Sequence, residues 1–211
     1  MAQRGSKEFR GDCMEEAKVT YTSFESTVKQ MRLVSRQARL ALAAACGQRV
    51  VPVFDEYWVE DHTPMARRAV EYAWAIACDE LRGDTDLRQY QVELLDFIEC
   101  YQRKRTRILA SSVTAIVQTI TAAAEENAAL AVARACGAAR DVASSVDVIV
   151  DGHRQTRRDD WGRGQREERD WQEAALGVVA QGGEISREMF RDCGPMPPEW
   201  WYRYQAAPEH V

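Results

Sequence analysis

The chain has 211 residues, of which 45% are hydrophobic and 29% charged, and its formal net charge is −5. This length suits one large domain or two small ones, and the composition is that of a globular protein rather than a disordered one. The acidic balance argues against a general nucleic-acid-binding protein, which usually carries a basic surface. We therefore expect a soluble protein with no direct nucleic-acid partner.

The N-terminus is polar and charged, and it lacks the apolar stretch of a secretory signal. Residues 1–20 are predicted to form a loose arm. The longest uncharged run, 108–124, has 17 residues and contains Ser, Thr and Gln, so it is predicted to be too short and too polar for a membrane span. These observations predict a cytoplasmic protein with no membrane partner.

The first two helices are predicted from apolar residues spaced near 3.6. The first begins near Ser23 and ends by Val34. The second runs from Arg36 to about Glu60. It should kink or restart at Pro52, because proline has no amide donor and clashes with the carbonyl four residues before it.

A third helix is predicted to begin at Thr63-Pro64, a capping residue followed by proline at the first helical position. It should end at Gly83, a common terminating residue. A fourth helix opens at Asp84 or Asp86, runs through Tyr101 and ends in a basic cluster that complements the helix dipole, Arg103, Lys104, Arg105 and Arg107.

The sequence pattern also predicts helices in the second half of the chain. Residues 108–124 are rich in β-branched side chains, but their apolar positions follow helical spacing, which favours a buried helix over a strand. A long alanine-rich helix is predicted over 125–150, with an interruption at Gly137. The next segment, 151–171, carries six Arg and six Asp or Glu. It is predicted to be either an exposed charged helix broken near Gly162 and Gly164 or an ordered loop.

An apolar helical pattern resumes at 172–180 and is terminated by Gly182-Gly183. The last segment, 193–211, is rich in proline and aromatic residues, and its aromatics are expected to dock on the body. A helical domain over 21–192 follows from these predictions. The predicted fold class is all-α, a single-domain multi-helix bundle of about six to eight helices.

An alanine-rich motif, Ala-x-Ala-x-Ala-Cys, occurs three times, at 41–46, 73–78 and 131–136. Alanine is the best helix former and adds little bulk, and a free cysteine behaves as a small hydrophobe. We therefore predict close helix crossings, with Cys46, Cys78 and Cys136 buried and reduced. The motif extends to LALAAACG at 40–47 and LAVARACG at 130–137. This match is explained either by duplicated helical hairpins or by chance similarity of alanine-rich helices.

No catalytic or metal-binding motif is present in the sequence. The three histidines, His62, His153 and His210, have no cysteine at zinc spacing. There is no Gly-x-Ser-x-Gly elbow, and the Gly162-Arg-Gly164 stretch lacks the lysine and preceding strand of a phosphate-binding loop. Adjacent carboxylates point apart on a helix. We predict no catalytic residue, no bound metal and no cofactor.

Residues 55–62, DEYWVEDH, form the most distinctive surface motif. Aromatic anchors surrounded by acidic groups suit the binding of a basic partner. The alternative is that the tryptophan packs inward and the acids are simply solvated. We call the six candidate residues the acidic-aromatic patch: Asp55, Glu56, Tyr57, Trp58, Glu60 and Asp61.

The order of motifs in 36–74 resembles that of a known family. It reads Arg-x-x-Arg-Leu-Ala-x-Ala-x-x-Cys from Arg36, then Arg49-Val-Val-Pro-x-Phe, then Pro64-x-Ala-x-Arg-Arg-Ala and finally Trp74. This order resembles the all-helical immunity proteins of bacterial polymorphic toxin systems. In that family an alanine-rich helix ends in a Cys-x-x-Arg-Val-x-Pro-like corner and a proline-started helix with a tryptophan follows. Residues 125–143 look like the family's later alanine-rich block, so the resemblance covers about half of the chain.

The resemblance implies stoichiometric inhibition without catalysis, in the setting of interbacterial competition. The partner would be a cognate toxin, encoded by the adjacent gene. Two alternatives stay open: an enzyme with an unrecognised helical active site that reverses a toxin's modification, and a helical scaffold or regulatory protein.

Overall fold

The computed structural model describes residues 24–57, 63–80, 92, 107–152 and 161–207. Over these residues the chain forms α-helices, one 3₁₀ helix and no strand, which confirms the predicted all-α multi-helix bundle. The α-helices are α1 (Phe24–Met31), α2 (Arg36–Tyr57), α3 (Thr63–Ala77), α4 (Arg107–Ala124), α5 (Ala129–Asp151), α6 (Arg163–Gln181) and α7 (Glu199–Ala206); the 3₁₀ helix is Arg187–Cys193. The predicted arm and most of the predicted fourth helix lie outside the described residues.

The alanine-rich faces of α2 and α5 lie in the centre of the bundle, and both helices also pack against α4. Ala41 and Ala43 to Cys46 are fully buried on α2, and the second copy of the motif on α5 is buried as well. Thr119 of α4 donates a hydrogen bond of 2.9 Å to the carbonyl of Ala43. A Cβ on Gly47 would lie 2.9 Å from the Thr119 hydroxyl. The small residues therefore let the helices approach closely, as predicted.

The cysteines of the repeated motif occupy different environments. Cys46 and Cys136 are buried free thiols whose sulfurs lie 3.6 Å apart, so the two longer motif copies meet at this point. The hydrogen bond with Cys136, together with burial, raises the pKa of the Cys46 thiol. Cys78 is only partly buried, and the prediction of a buried third cysteine is wrong. The reason is that α3 ends one residue earlier, which places Cys78 in the terminal turn.

The end of α3 differs from the predicted end at Gly83. The backbone N–H of Glu80 bonds to the carbonyl of Ala75, and that of Asp79 bonds to the carbonyl of Ile76. This pattern is a Schellman cap, with Asp79 in the left-handed position at φ 59°. Aspartate tolerates that conformation better than most residues, so the helix stops before the glycine.

Two predicted interruptions are absent from the described helices. α2 continues through Pro52 rather than restarting there, and Val50 and Val53 on either side of the proline are buried. α5 continues through Gly137, where an added Cβ would meet nothing within 4 Å. Gly137 is therefore an ordinary helical position.

α4 is the most apolar helix of the described chain. Its 18 residues have a mean hydropathy of 1.3, which by length and composition is enough to cross a membrane. The prediction that this run is too short is therefore too strict. However, 61% of the helix is buried inside the fold. Buried positions 113, 116 and 120 pack against the neighbouring helices, so the burial favours a core helix.

In the described part of the predicted charged segment, 161–171, the prediction of an exposed helix broken near Gly162 and Gly164 is wrong, and residues 153–160 lie outside the described residues. α6 begins at Arg163, and the side chain of Glu168 is completely buried. Gly162 and Gly164 begin this helix rather than break it. The reason is the carboxylate of Asp147, which accepts the backbone N–H of Gly164 at 2.7 Å. A Cβ on Gly162 would lie 2.1 Å from one carboxylate oxygen, so only glycine fits.

The C-terminal aromatics dock on the body, as predicted. α7 begins directly after Pro198, and Trp200 and Trp201 on it are buried against the bundle. Phe190 of the 3₁₀ helix packs between Trp74 and Trp171, with ring centroids 6.1 and 5.9 Å away. The tail is therefore a continuation of the core.

A candidate binding cleft between α2, α3 and the C-terminal segment

A surface cleft of about 400 Å³ lies where α2 and α3 meet the C-terminal segment. This volume is at the lower end of the range for small-ligand pockets. We call it the α2–α3 cleft. It is lined by Gln48, Val51, Pro52 and Asp55 of α2, by Arg67, Val70 and Glu71 of α3, and by Met196 and Pro197.

Helical spacing explains which residues reach the cleft. On α2 the lining positions are 48, 51, 52 and 55, and on α3 they are 67, 70 and 71. Residues three and four apart share one face of a helix, so each helix presents a single stripe. Each stripe is apolar in the middle and polar at the ends. The cleft therefore has an apolar floor and a polar rim.

The rim carries two ion pairs. Nε of Arg67 lies 3.0 and 3.3 Å from the two carboxylate oxygens of Asp55, and a second guanidinium nitrogen also contacts this carboxylate. The hydrogen bond to Asp55 raises the pKa of Arg67. Glu71 pairs with Arg187 of the 3₁₀ helix at 2.5 Å. Arg67 and Arg187 thus neutralise the two rim carboxylates, Asp55 and Glu71.

The floor is held in place from below. Nε1 of Trp74, which is buried on α3, donates a hydrogen bond of 3.0 Å to the side-chain oxygen of Gln48 on α2. Val70 also contacts the position that a Cβ on Gly47 would take, at 3.0 Å. These contacts hold α2 and α3 together beneath the cleft, so its shape is set by the core.

A buried ion pair positions the third wall. Arg49 and Glu168 have side chains that are 3% and 0% exposed, and Nε lies 2.9 Å from the carboxylate. Arg49 also donates to the carbonyl of Pro195 at 2.9 Å, and its guanidinium lies 4.3 Å from the ring centre of Trp171. Pro195 directly precedes Met196. The pair therefore fixes the segment that lines the cleft.

The remaining bonds of Glu168 connect it to the rest of the core. Its carboxylate accepts from Nε1 of Trp200 at 3.2 Å and from the amide of Gln172 at 3.0 Å. Gln172 also donates to the carbonyl of Cys136 at 2.9 Å. The buried charge thus has three hydrogen-bond donors, which compensate the cost of removing it from water.

The structure places only part of the predicted acidic-aromatic patch. Asp55 lines the cleft and is half-buried, Glu56 is exposed beside it, and Tyr57 is the last residue of α2. Trp58, Glu60 and Asp61 lie outside the described residues. Asp55 is paired with Arg67 of α3, so the alternative of a simply solvated acid does not hold for this residue.

Sequence reasoning missed the contributions of α3 and of the C-terminal segment. The i, i+3, i+4 spacing of the α3 lining residues was visible in the sequence. No local signal brings Met196 and Pro197 to this place, since that contact depends on Arg49 and Glu168, which are 119 positions apart.

No family model, no curated protein and no solved structure matches this chain. The resemblance to immunity proteins stays a prediction from the order of its motifs.

Two further free thiols, Cys78 and Cys193, are partly buried and do not line the cleft. Burial raises the pKa of the thiols of Cys78 and Cys193, which keeps them protonated and weakly nucleophilic at neutral pH. No group of three His, Cys, Asp or Glu that could hold a metal occurs within the described ranges. What the α2–α3 cleft offers is an apolar floor, a rim of two ion pairs and a shape set by the core, which are properties of a binding site.

Proposed function

We propose that this protein is an immunity protein that binds a cognate bacterial toxin and neutralises it stoichiometrically, without catalysis. The observation that carries the proposal is the α2–α3 cleft, whose lining includes one residue of the acidic-aromatic patch. Asp55 belongs to both, and Glu56 is exposed next to it. The motif order of 36–74 adds independent support from the sequence.

The charge of this surface points to a basic partner surface. Glu56 is exposed beside the cleft, and the sequence continues with Glu60 and Asp61. Complementary charge speeds association and excludes wrong partners. A toxin whose active site binds nucleic acid or nucleotide phosphates has such a basic surface, and carboxylates can occupy the place of phosphates on it.

The proposal is tested by mixing the purified protein with the product of the adjacent gene. We expect a 1:1 complex by size-exclusion chromatography with light scattering, and rescue of growth when both genes are expressed. Replacing Tyr57 and Trp58 together with alanine should weaken the complex, measured by calorimetry, and leave the melting temperature unchanged. Tyr202→Ala is a matched control, because it removes an exposed aromatic of α7 outside the cleft lining.

Two results would contradict parts of the proposal. If the affinity and the melting temperature fall together in the Tyr57/Trp58 variant, these residues belong to the core and the patch is wrong. If no complex forms, yet growth is rescued and one buried polar substitution abolishes the rescue, the protein acts as an enzyme.

A further inference from the structure

Two free thiols face each other where the central helices α2 and α5 meet. Sγ of Cys46 on α2 and Sγ of Cys136 on α5 lie 3.6 Å apart, and the two groups form a hydrogen bond with each other. The residues are 0% and 1% exposed. They are 90 positions apart in the chain. The fold therefore places two oxidisable groups in contact, in a region from which bulk solvent is excluded.

Contacts with α6 hold both cysteines in this position. Gln172 donates a hydrogen bond of 2.9 Å to the carbonyl of Cys136, and its amide also donates to Glu168. Glu168 in turn pairs with Arg49, which lies about one helical turn after Cys46 on α2. Two neighbouring side chains of α6 thus fix the backbone of α5 and the adjoining turn of α2, and the sulfurs stay facing each other.

The sulfurs need only a small movement to reach bonding distance. A disulfide bond is about 2.05 Å long, so each sulfur has to move by about 0.8 Å. A rotation of about 30° about χ1 moves a sulfur that far, at a modest cost in strain. Oxidation removes two hydrogens and leaves no added atom among the closely packed alanines of this crossing. Alkylation of either thiol, by contrast, would have to insert a new group there.

We infer that Cys46 and Cys136 are a peroxide-oxidisable pair, which closes to an intramolecular disulfide inside the folded protein. The sulfur that loses its proton first attacks one oxygen of hydrogen peroxide, and the O–O bond breaks. This step gives a sulfenic acid and, with the released proton, one water. The second sulfur then attacks the first, the S–O bond breaks, and the hydroxyl leaves with the second thiol proton as another water. The two thiols together lose two electrons, which reduce one peroxide to two waters.

The cross-link has two measurable consequences. It joins helices that are far apart in the chain, and a disulfide that closes a long loop restricts the unfolded chain strongly. It also lies in the buried core, so a thiol reductant has poor access to it until the protein unfolds. Both consequences are independent of the proposed function, because no partner takes part in the reaction.

The test treats the folded, full-length protein with a small molar excess of hydrogen peroxide. We expect the intact mass to fall by two hydrogen atoms, and peptide mapping without reduction to link the peptides that contain Cys46 and Cys136. The melting temperature should rise by about 5–10 °C. Dithiothreitol should reverse the change slowly in native buffer and rapidly in urea. The same result is expected in a variant that keeps only this pair and carries serine at the other four cysteines, Cys13, Cys78, Cys100 and Cys193.

Single substitutions provide the matched controls. Cys46→Ala and Cys136→Ala should each abolish the loss of two hydrogens and the rise in melting temperature. Both variants should fold, because alanine already occupies the neighbouring buried positions of these helices. Cys78→Ala should leave the cross-link unchanged, since Cys78 lies at the end of α3 and is only partly buried. If an alanine variant does not fold, the peptide map of the unsubstituted protein decides the question.

Three results would overturn the inference. The first is a gain of oxygen without any cross-link, which would show that the sulfurs cannot reach each other. The second is a disulfide that involves another cysteine, or one that forms only after the protein has been unfolded in urea. The third is a fall in the melting temperature on oxidation, which would show that the bond does not fit the native fold.

Discussion

Replacing Glu168 with leucine should lower the free energy of unfolding by about 3–5 kcal/mol. The side chain of Arg49 is 3% exposed and that of Glu168 is fully buried, so the substitution leaves a positive charge in the core without its counter-ion. The carbonyl of Pro195 and the ring of Trp171 remain beside the guanidinium. Both groups are neutral and do not replace a full negative charge. Arg49→Met should cost a similar amount, because it leaves the carboxylate unpaired.

The double variant distinguishes a charge effect from a packing effect. With both charges removed, the penalty should be about 1–3 kcal/mol smaller than the sum of the two single penalties. Urea denaturation followed by tryptophan fluorescence measures all three values, since Trp171 and Trp200 both contact the pair. Far-UV circular dichroism should give coincident transitions.

A matched control separates this pair from ordinary surface pairs. Arg191 pairs with Glu188, and these side chains are 72% and 68% exposed. Arg191→Met should therefore change the free energy of unfolding by less than about 0.5 kcal/mol. Strictly additive penalties at Arg49 and Glu168, or a penalty below that of the control, would refute the conclusion that this is a coupled buried pair.

Three further predictions concern packing and thiol chemistry. Gly162→Ala should destabilise the protein by about 1–3 kcal/mol because its Cβ would meet a buried carboxylate, whereas Gly177→Ala, with open space around it, should stabilise by about 0.5–1 kcal/mol; urea midpoints compare the two. Ala43→Leu should overpack the central helix crossing and lower the free energy of unfolding by about 1–3 kcal/mol, measured by thermal unfolding. Ala174→Leu, at an exposed position, should change it by less than about 0.5 kcal/mol. Equal stabilities of the two variants would contradict the burial of the alanine-rich face of α2. The Cys46 thiol, with its raised pKa, should resist iodoacetamide at pH 8 until the protein unfolds, and rapid labelling seen by mass spectrometry would show that it is accessible.

Local periodicity predicts most of the helices because each helix carries its own pattern. The spacing of 113, 116, 117 and 120 identifies α4 correctly in spite of its β-branched residues. The alanine-rich runs likewise predict correctly that their alanines are buried. Such information is local, and it is read from fewer than ten consecutive residues at a time.

The errors arise where distant groups replace local signals. Gly162 and Gly164 look like helix breakers in the sequence, but the carboxylate of Asp147 reaches them from another helix and caps the first turn of α6. Glu168 looks solvated within a run of charges, but Arg49 pairs with it in the core. The α2–α3 cleft could not be predicted from the sequence for the same reason, because its third wall depends on this long-range pair.

The charged groups at the centre of the fold have a consequence for the uniqueness of its packing. An alanine-rich face looks almost the same after a shift of one helical turn, about 5.4 Å, so alanine alone allows several alignments of α6 against α2 and α5. Such a shift would separate Glu168 from Arg49 and move the N-terminal turn of α6 away from Asp147. Each misaligned arrangement would leave unpaired charges in the interior. We therefore expect these two carboxylates to help select the register of α6, while the alanines of α2 and α5 allow the close approach.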